Sequence, residues 1–182
     1  SDTAHAGLAI LTRLPVVATG LYALPSEPTP AHFPAYAIWA VVLSHSGRPW
    51  LLVTTHLAWG VVEHVRLQQA RSLNTYITDL VAELNLHGSP VVLAGDFNAL
   101  PDGATLRYLT GLSELPTDTL WVDAWAAAGN GGPGFTSTPT NMWTRHLLAE
   151  HGAALPHTAP ARRIDYVLTR GWTYGRPGHP LN

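Results

Sequence analysis

Residues 90–103 read PVVLAGDFNALPDG, and the fold turns on how this stretch is read. The run PVVLAG has the length and the β-branched, aliphatic content of a buried strand, and PDG is a turn signal. Between them stand Asp96, Phe97 and Asn98. Side chains two apart on a strand point to the same side. If the strand persists through Phe97, Asp96 and Asn98 can therefore address one object beyond its end while Phe97 enters the core. A carboxylate beside a carboxamide supplies hard oxygen ligands, a proton acceptor and an N–H donor, which suits magnesium, water and phosphate rather than a soft metal. The competing reading is a plain turn, since Asp and Asn both shape loops and cap helices. Spacing alone leaves both readings open.

Outward from this stretch the chain alternates strand and helix signals. GLAILT at 7–12 and YAIWAVVL at 36–43 are short aliphatic runs expected as strands, with the proline-rich LPSEPTPAHFP as a loop before the second. PWLLVTTHL at 49–57 is a third, and the turn signal SHSGRP before it predicts a hairpin with 36–43. Over 61–86, Val62, Val65, Leu73, Ile77, Leu80, Val81 and Leu84 recur at helical spacing, ending near Gly88. TLRYLTGL after the Pro101–Gly103 turn reads as a short helix, TRHLLAEHG as another, and RIDYVLT at 163–169 as the last strand. Strands at both ends with a long helix between them predict a mixed α/β or α+β layered domain spanning 1–182, without internal repeats. That architecture names no function.

Composition narrows the classes. Without cysteine there is no disulfide, thiolate catalysis or Cys-ligated zinc. All ten basic residues are arginine and the net charge is −2, so the broad basic surface of a nonspecific nucleic-acid binder is missing. Arg162 and Arg163 are the only adjacent basic pair. No apolar run approaches a bilayer span, and SDTAHAGLAILTR lacks the charged-then-apolar order of a signal peptide. The compartment stays open.

Two further strands carry polar anomalies. His56 ends the strand TTHL, where a structural hydrogen-bonding histidine and a catalytic one are both admissible. Asp165 lies between Ile164 and Tyr166 in an apolar strand, where a carboxylate buried without a partner would cost several kcal/mol; a histidine or arginine partner is expected. Three strands thus each deliver polar groups toward what could be a common edge: His56, the pair Asp96 and Asn98, and Asp165. Spacing does not establish that they converge.

Taken in order, GLAILTR, VTTHL, PVVLAGDFNALPDG, DAWAAAGNGGPGFTST and RRIDYVLTRG resemble the endonuclease/exonuclease/phosphatase superfamily with the DNase-I-like fold, from about Gly7 to Arg170. Arg66 and Gln69, an R-x-x-Q inside the helix, match a further recurring pattern of that family. The resemblance implies a four-layer α/β/β/α sandwich with the active site at one edge of two packed sheets, and a divalent cation, magnesium or manganese, held by Asp96 and Asn98. It implies that Asp96 holds and deprotonates the attacking water, that Asn98 orients that water or a phosphate oxygen, and that His56 donates to the phosphate. Asp165 would orient a catalytic histidine. Such chemistry rests on positioning and charge neutralisation rather than covalent help.

The chain also departs from that pattern. Family members carry an asparagine strand and a metal-ligating glutamate before the G-x-A-I-L strand, and a Ser-Asp-His motif after R-I-D-Y. Here the first segment is GLAILT and the end is GRPGHPLN, and neither Asp2 nor His179 matches those motifs. Two explanations stand. The domain is one part of a longer polypeptide, incomplete in this chain, or it is a degenerate member that binds without hydrolysing. An incomplete sandwich would expose core faces and need a complementing segment or partner chain. The charge balance leans toward a small or lipid phosphoester rather than long nucleic acid. Trp59, three residues after His56, could line the mouth of the site, whereas Trp39, Trp50 and Trp125 read as core. The stretch 137–161 reads as a surface insertion or a rim to the site.

Overall fold

The computed structural model describes residues 7–26, 34–60, 62–115, 120–150 and 160–170. Its elements are β1 (Val16–Ala23), β2 (Tyr36–Leu43), β3 (Pro49–His56), α1 (Glu63–Glu83), β4 (Val91–Asp96), α2 (Ala104–Leu109), β5 (Val122–Asp123), α3 (Ala124–Ala128), α4 (Met142–Glu150) and β6 (Asp165–Arg170). The six strands form one sheet in the order β1-β2-β3-β4-β6-β5. β2 and β3 are the expected antiparallel hairpin, β3 and β4 run parallel with α1 as their crossover, and β6 returns antiparallel to β4.

The helical periodicity of 61–86 faces this sheet. Val65, Leu73, Ile77 and Leu80 are buried on α1 and share one core with Leu51, Val53, Leu93 and Leu168, one alternate set of strand residues, and with Leu106 and Leu109 of α2. Phe97 joins that core, 1% exposed, edge-on to Tyr166 with ring centroids 5.5 Å apart. The other alternate set points away from α1. Leu21, Ile38, Thr54, Ala94 and Val167 are successive register partners and form one row across five strands. Leu21 is 61% and Val167 48% exposed.

The mixed α/β class holds, in one six-stranded sheet with its helices. Of the four layers expected, the described residues supply this sheet and the helical layer of α1 and α2; a second sheet is not among them. Two assignments are corrected. Residues 7–12 form no strand; the strand before β2 is Val16–Ala23. Its Ala18, Thr19 and Gly20 interrupt the apolar run that a pattern search rewards, and as the outermost strand it pairs on one side only. Trp50 and Trp125 are not core residues, being 39% and 40% exposed: Trp50 alternates with buried Leu51 and so projects from the open face, and Trp125 stands on the five-residue α3. The buried indole is Trp121, whose Nε1 donates to Asn74 Oδ1 at 2.8 Å. Helix α4 occupies most of the expected TRHLLAEHG segment; 151–159 and the C-terminal segment with His179 lie outside the described residues, as does Asp2.

Candidate active site

Strand register brings the polar residues of three strands together. His56, the last residue of β3, is the register partner of Asp96, the last of β4, and Asp96 is the partner of Asp165, the first of β6. The three therefore form a row at one end of the sheet, on the face away from α1, parallel to the apolar row of Leu21, Ile38, Thr54, Ala94 and Val167. His56 Nε2 lies 3.7 Å from Asp96 Oδ2. A cavity of about 550 Å³ opens beside Asp96 and Asp165, with Trp125, Thr136 and Arg163 among its walls.

Gly95 makes the approach of β3 possible. Its φ is +145°, and a Cβ there would overlap the carbonyl oxygen of Thr55, so only glycine lets the two strands close to this spacing just before His56 and Asp96. On the other side Thr136 Oγ1 lies 3.2 Å from the backbone amides of both Ile164 and Asp165, which ties the GFT segment to the start of β6. Arg163 is anchored by Asp123, Nη1 to Oδ2 at 2.6 Å, and stands over the Tyr166 ring at 4.7 Å. Asp123 Oδ1 in turn caps α3. The Tyr166 hydroxyl is 2.9 Å from the carbonyl oxygens of Ala99 and Arg163, so it fixes the turn after β4 to β6.

Asn98 does not continue the strand. Its φ is +48°, a left-handed conformation that asparagine tolerates better than most residues, and its backbone amide donates to Asp96 Oδ1 at 2.8 Å. Asp96 and Asn98 therefore close an Asx turn rather than projecting in parallel from an extended strand. The Asn98 Nδ2 donates to Leu57 O at 2.9 Å, and Leu57 N donates to Asp96 O at 2.9 Å, so the turn after β4 is laced to the residue after His56. The turn reading of DFNALPDG is met: one Asp96 oxygen builds the turn while the other faces His56.

Asp165 is also corrected. It is exposed, not buried, because the β6 side chains facing the core are Tyr166 and Leu168. No buried-charge penalty applies, and among the described residues no histidine or arginine side chain is bonded to its carboxylate. Asp96 is the more buried carboxylate. Burial raises its pKa above the ordinary value and the neighbouring charge of Asp165 adds to this, against the Asn98 amide, His56 and Arg162, which pull it down. Among the described residues no three His, Asp or Glu side chains form a metal-binding group. Asp96, Asp165 and the Asn98 carboxamide match a hard divalent cation in kind, but not yet in number.

Trp59 stands 52% exposed in the segment after His56 and is not among the walls of the cavity beside Asp96 and Asp165. Sequence reasoning missed Thr136, which holds the start of β6, and Asp123, which anchors Arg163. Thr136 and Asp123 sat inside the quoted DAWAAAGNGGPGFTST stretch, but nothing in it pairs either residue with RRIDY.

Known proteins share this fold. The fold matches the human nocturnin catalytic domain with bound sulfate at 18% identity and TM-score 0.55, over 86% of this chain and 48% of that one. It matches a mannosyl-6-phosphatase of Bacteroides thetaiotaomicron at 18% identity and TM-score 0.57, over 86% and 52%. It also matches truncated TDP2 of Caenorhabditis elegans at 18% identity and TM-score 0.59, over 87% and 53%. The chain spans about half the length of the solved structures it matches. No curated protein sequence matches it significantly. The model of the Endonuclease/Exonuclease/phosphatase family matches residues 1–181, and the chain, with its DNase-I-like sheet, belongs to that family.

Proposed function

We propose that this chain carries one side of the active site of a divalent-metal-dependent phosphoester hydrolase. The observation that carries the reading is the single row of His56, Asp96 and Asp165 set in register at the end of three strands. Members of this family hydrolyse phosphoester bonds and generally act with a divalent metal. Asp96 holds the attacking water and takes its proton, a task that a carboxylate with a raised pKa performs better than an ordinary one. Asn98 orients that water or a phosphate oxygen from its place in the Asx turn. His56 donates an N–H to a phosphate oxygen as negative charge builds there. Asp165 orients a histidine from outside the described residues. Asp96 and Asn98 are the residues that would hold a magnesium or manganese ion, which when bound neutralises charge on the phosphate oxygens.

The donor set of the described residues is incomplete and the sheet face beside it is apolar and open. A complementing segment, of the same polypeptide or a partner chain, is therefore part of this reading: it covers the face and supplies the remaining groups. The net charge of −2 and the lack of lysine support a small or lipid-like phosphoester over long nucleic acid.

The test uses the full polypeptide with magnesium and a panel of phosphate mono- and diesters. Asp96→Ala is expected to lower turnover about 100-fold or more without loss of folding. A wild-type protein with no metal-dependent turnover, or an Asp96→Ala variant as active as wild type, would leave a noncatalytic binding module as the correct reading.

A further inference from the structure

The R-x-x-Q of α1 is buried and polar. Gln69 is 1% and Arg66 7% exposed. Gln69 Oε1 accepts from Ala58 N at 2.9 Å and its Nε2 donates to Pro25 O at 3.0 Å. Arg66 Nη1 donates to Ala58 O at 3.1 Å and to Gly60 O at 2.7 Å, while its Nε and Nη2 hold Glu63 Oε2 at 3.1 and 3.0 Å. The other oxygen of Glu63 accepts from the amide and the hydroxyl of Thr105, both at 2.9 Å, at the start of α2. Burial pushes the Glu63 carboxyl up, but the Thr105 and Arg66 contacts outweigh it and its pKa is lowered.

These bonds interleave with those of the site. Leu57 gives its amide to Asp96 O and its carbonyl to Asn98 Nδ2, and the next residue, Ala58, gives both of its backbone groups to α1. The first two turns of α1 thus set the peptide that registers Asn98 and Asp96 on one side, and through Thr105 set the far end of the Asp96–Gly103 turn on the other. We infer that Glu63, Arg66 and Gln69 are positioning residues of the site: they hold the segment 57–60 and the start of α2 so that His56, Asp96 and Asn98 keep one geometry. The inference rests on reading the row as hydrolytic. A buried guanidinium and carboxamide that only close a loop would be replaceable by apolar side chains of the same volume. The Leu57–Asp96 backbone bond is independent of them, so their loss loosens the site rather than opening the sheet.

The experiment compares Arg66→Lys and Gln69→Met with Trp121→Phe in the full polypeptide. Trp121→Phe removes a buried hydrogen bond to Asn74, farther along the same helix, and is the control for lost stability alone. On a chromogenic aryl phosphodiester with magnesium, the two test variants are expected to lose about 10- to 100-fold in kcat with KM within twofold, because small displacements of positioned groups act on the transition state. The control is expected to keep kcat at temperatures where it is folded. In parallel, NMR is expected to show shifted Asn98 side-chain amide signals and faster exchange at Ala58 N–H in the test variants only. A kcat loss no larger than the control's overturns the inference. If wild type turns over no phosphoester, the hydrolytic reading fails separately, and the NMR arm decides: unmoved Asn98 signals overturn the positioning role, and moved ones sustain it.

Discussion

Replacing Gly95 with alanine tests whether the close approach of β3 and β4 sets the site. Gly95 has φ +145°, a region that is essentially reserved for glycine and costs an L residue about 1–3 kcal/mol. The added Cβ would also overlap the Thr55 carbonyl oxygen and press on the Thr55 carbonyl carbon at 3.0 Å and nitrogen at 3.1 Å. These are backbone atoms of the paired strand and cannot swing aside, so the ladder itself must part, at about 0.5–1.5 kcal/mol for each hydrogen bond lost. Together about 3 kcal/mol or more is expected, a large share of a stability of about 5–15 kcal/mol. The next residue pair is His56 and Asp96, whose 3.7 Å separation depends on that ladder. Urea unfolding of the full polypeptide reads the stability, and magnesium-dependent turnover reads the site. A Gly95→Ala protein within about 1 kcal/mol of wild type, with turnover intact, would refute the claim that this glycine sets the row.

Three further outcomes follow from the geometry. Because burial first, and Asp165 next, raises the Asp96 pKa, the folded protein binds that proton more tightly than the unfolded chain, for which the reference value is 3.8. The associated stability is intact below about pH 3.8 and is lost as pH rises through the folded value, so Asp96→Asn is expected to raise the melting temperature at pH 7 and to give no gain below 3.8; metal-free thermal melts against pH check this, and a variant less stable than wild type at pH 7 would count against it. For the open face, Leu21→Ser in the full polypeptide is expected to cost about 1.5–3 kcal/mol if a complementing segment buries Leu21, against about 0.5 kcal/mol or less for a solvent-exposed side chain. The 182-residue chain alone is expected to self-associate, and a monodisperse, cooperatively melting monomer would sink the proposal that it needs a covering segment.

What was legible in the sequence was whatever a local period encodes. The stripe Val65, Leu73, Ile77 and Leu80 is a physical signature of a helix against a sheet, and Leu51, Val53, Leu93 and Leu168 alternate as their strands require. Register is different. Nothing local says that Asp96 faces both His56 and Asp165, since that depends on pairings across 40 and 69 residues of chain. Asn98 was misplaced because strand parity was carried one residue too far, past the point where Asp96 Oδ1 captures the Asn98 amide. Asp165 was misjudged because a carboxylate between Ile164 and Tyr166 looks buried until one asks which face each residue takes. β1 was missed because Ala18, Thr19 and Gly20 give an edge strand little apolar pattern to find.

The open face and the incomplete site have one origin. His56, Asp96 and Asp165 project from the same side of the sheet as Leu21, Ile38, Thr54, Ala94 and Val167, two residues farther along β3 and β4 and two residues earlier on β6. Successive same-face residues on a strand are about 7 Å apart, so any element that buries the apolar row must end within a side chain's reach of the polar one. On the proposed reading, burial and completion of the donor set are then one event. Activity should therefore appear with the same dependence on the complementing segment as stability does, and a segment that restored the melt without bringing oxygen or nitrogen ligands to Asp96 would separate the two.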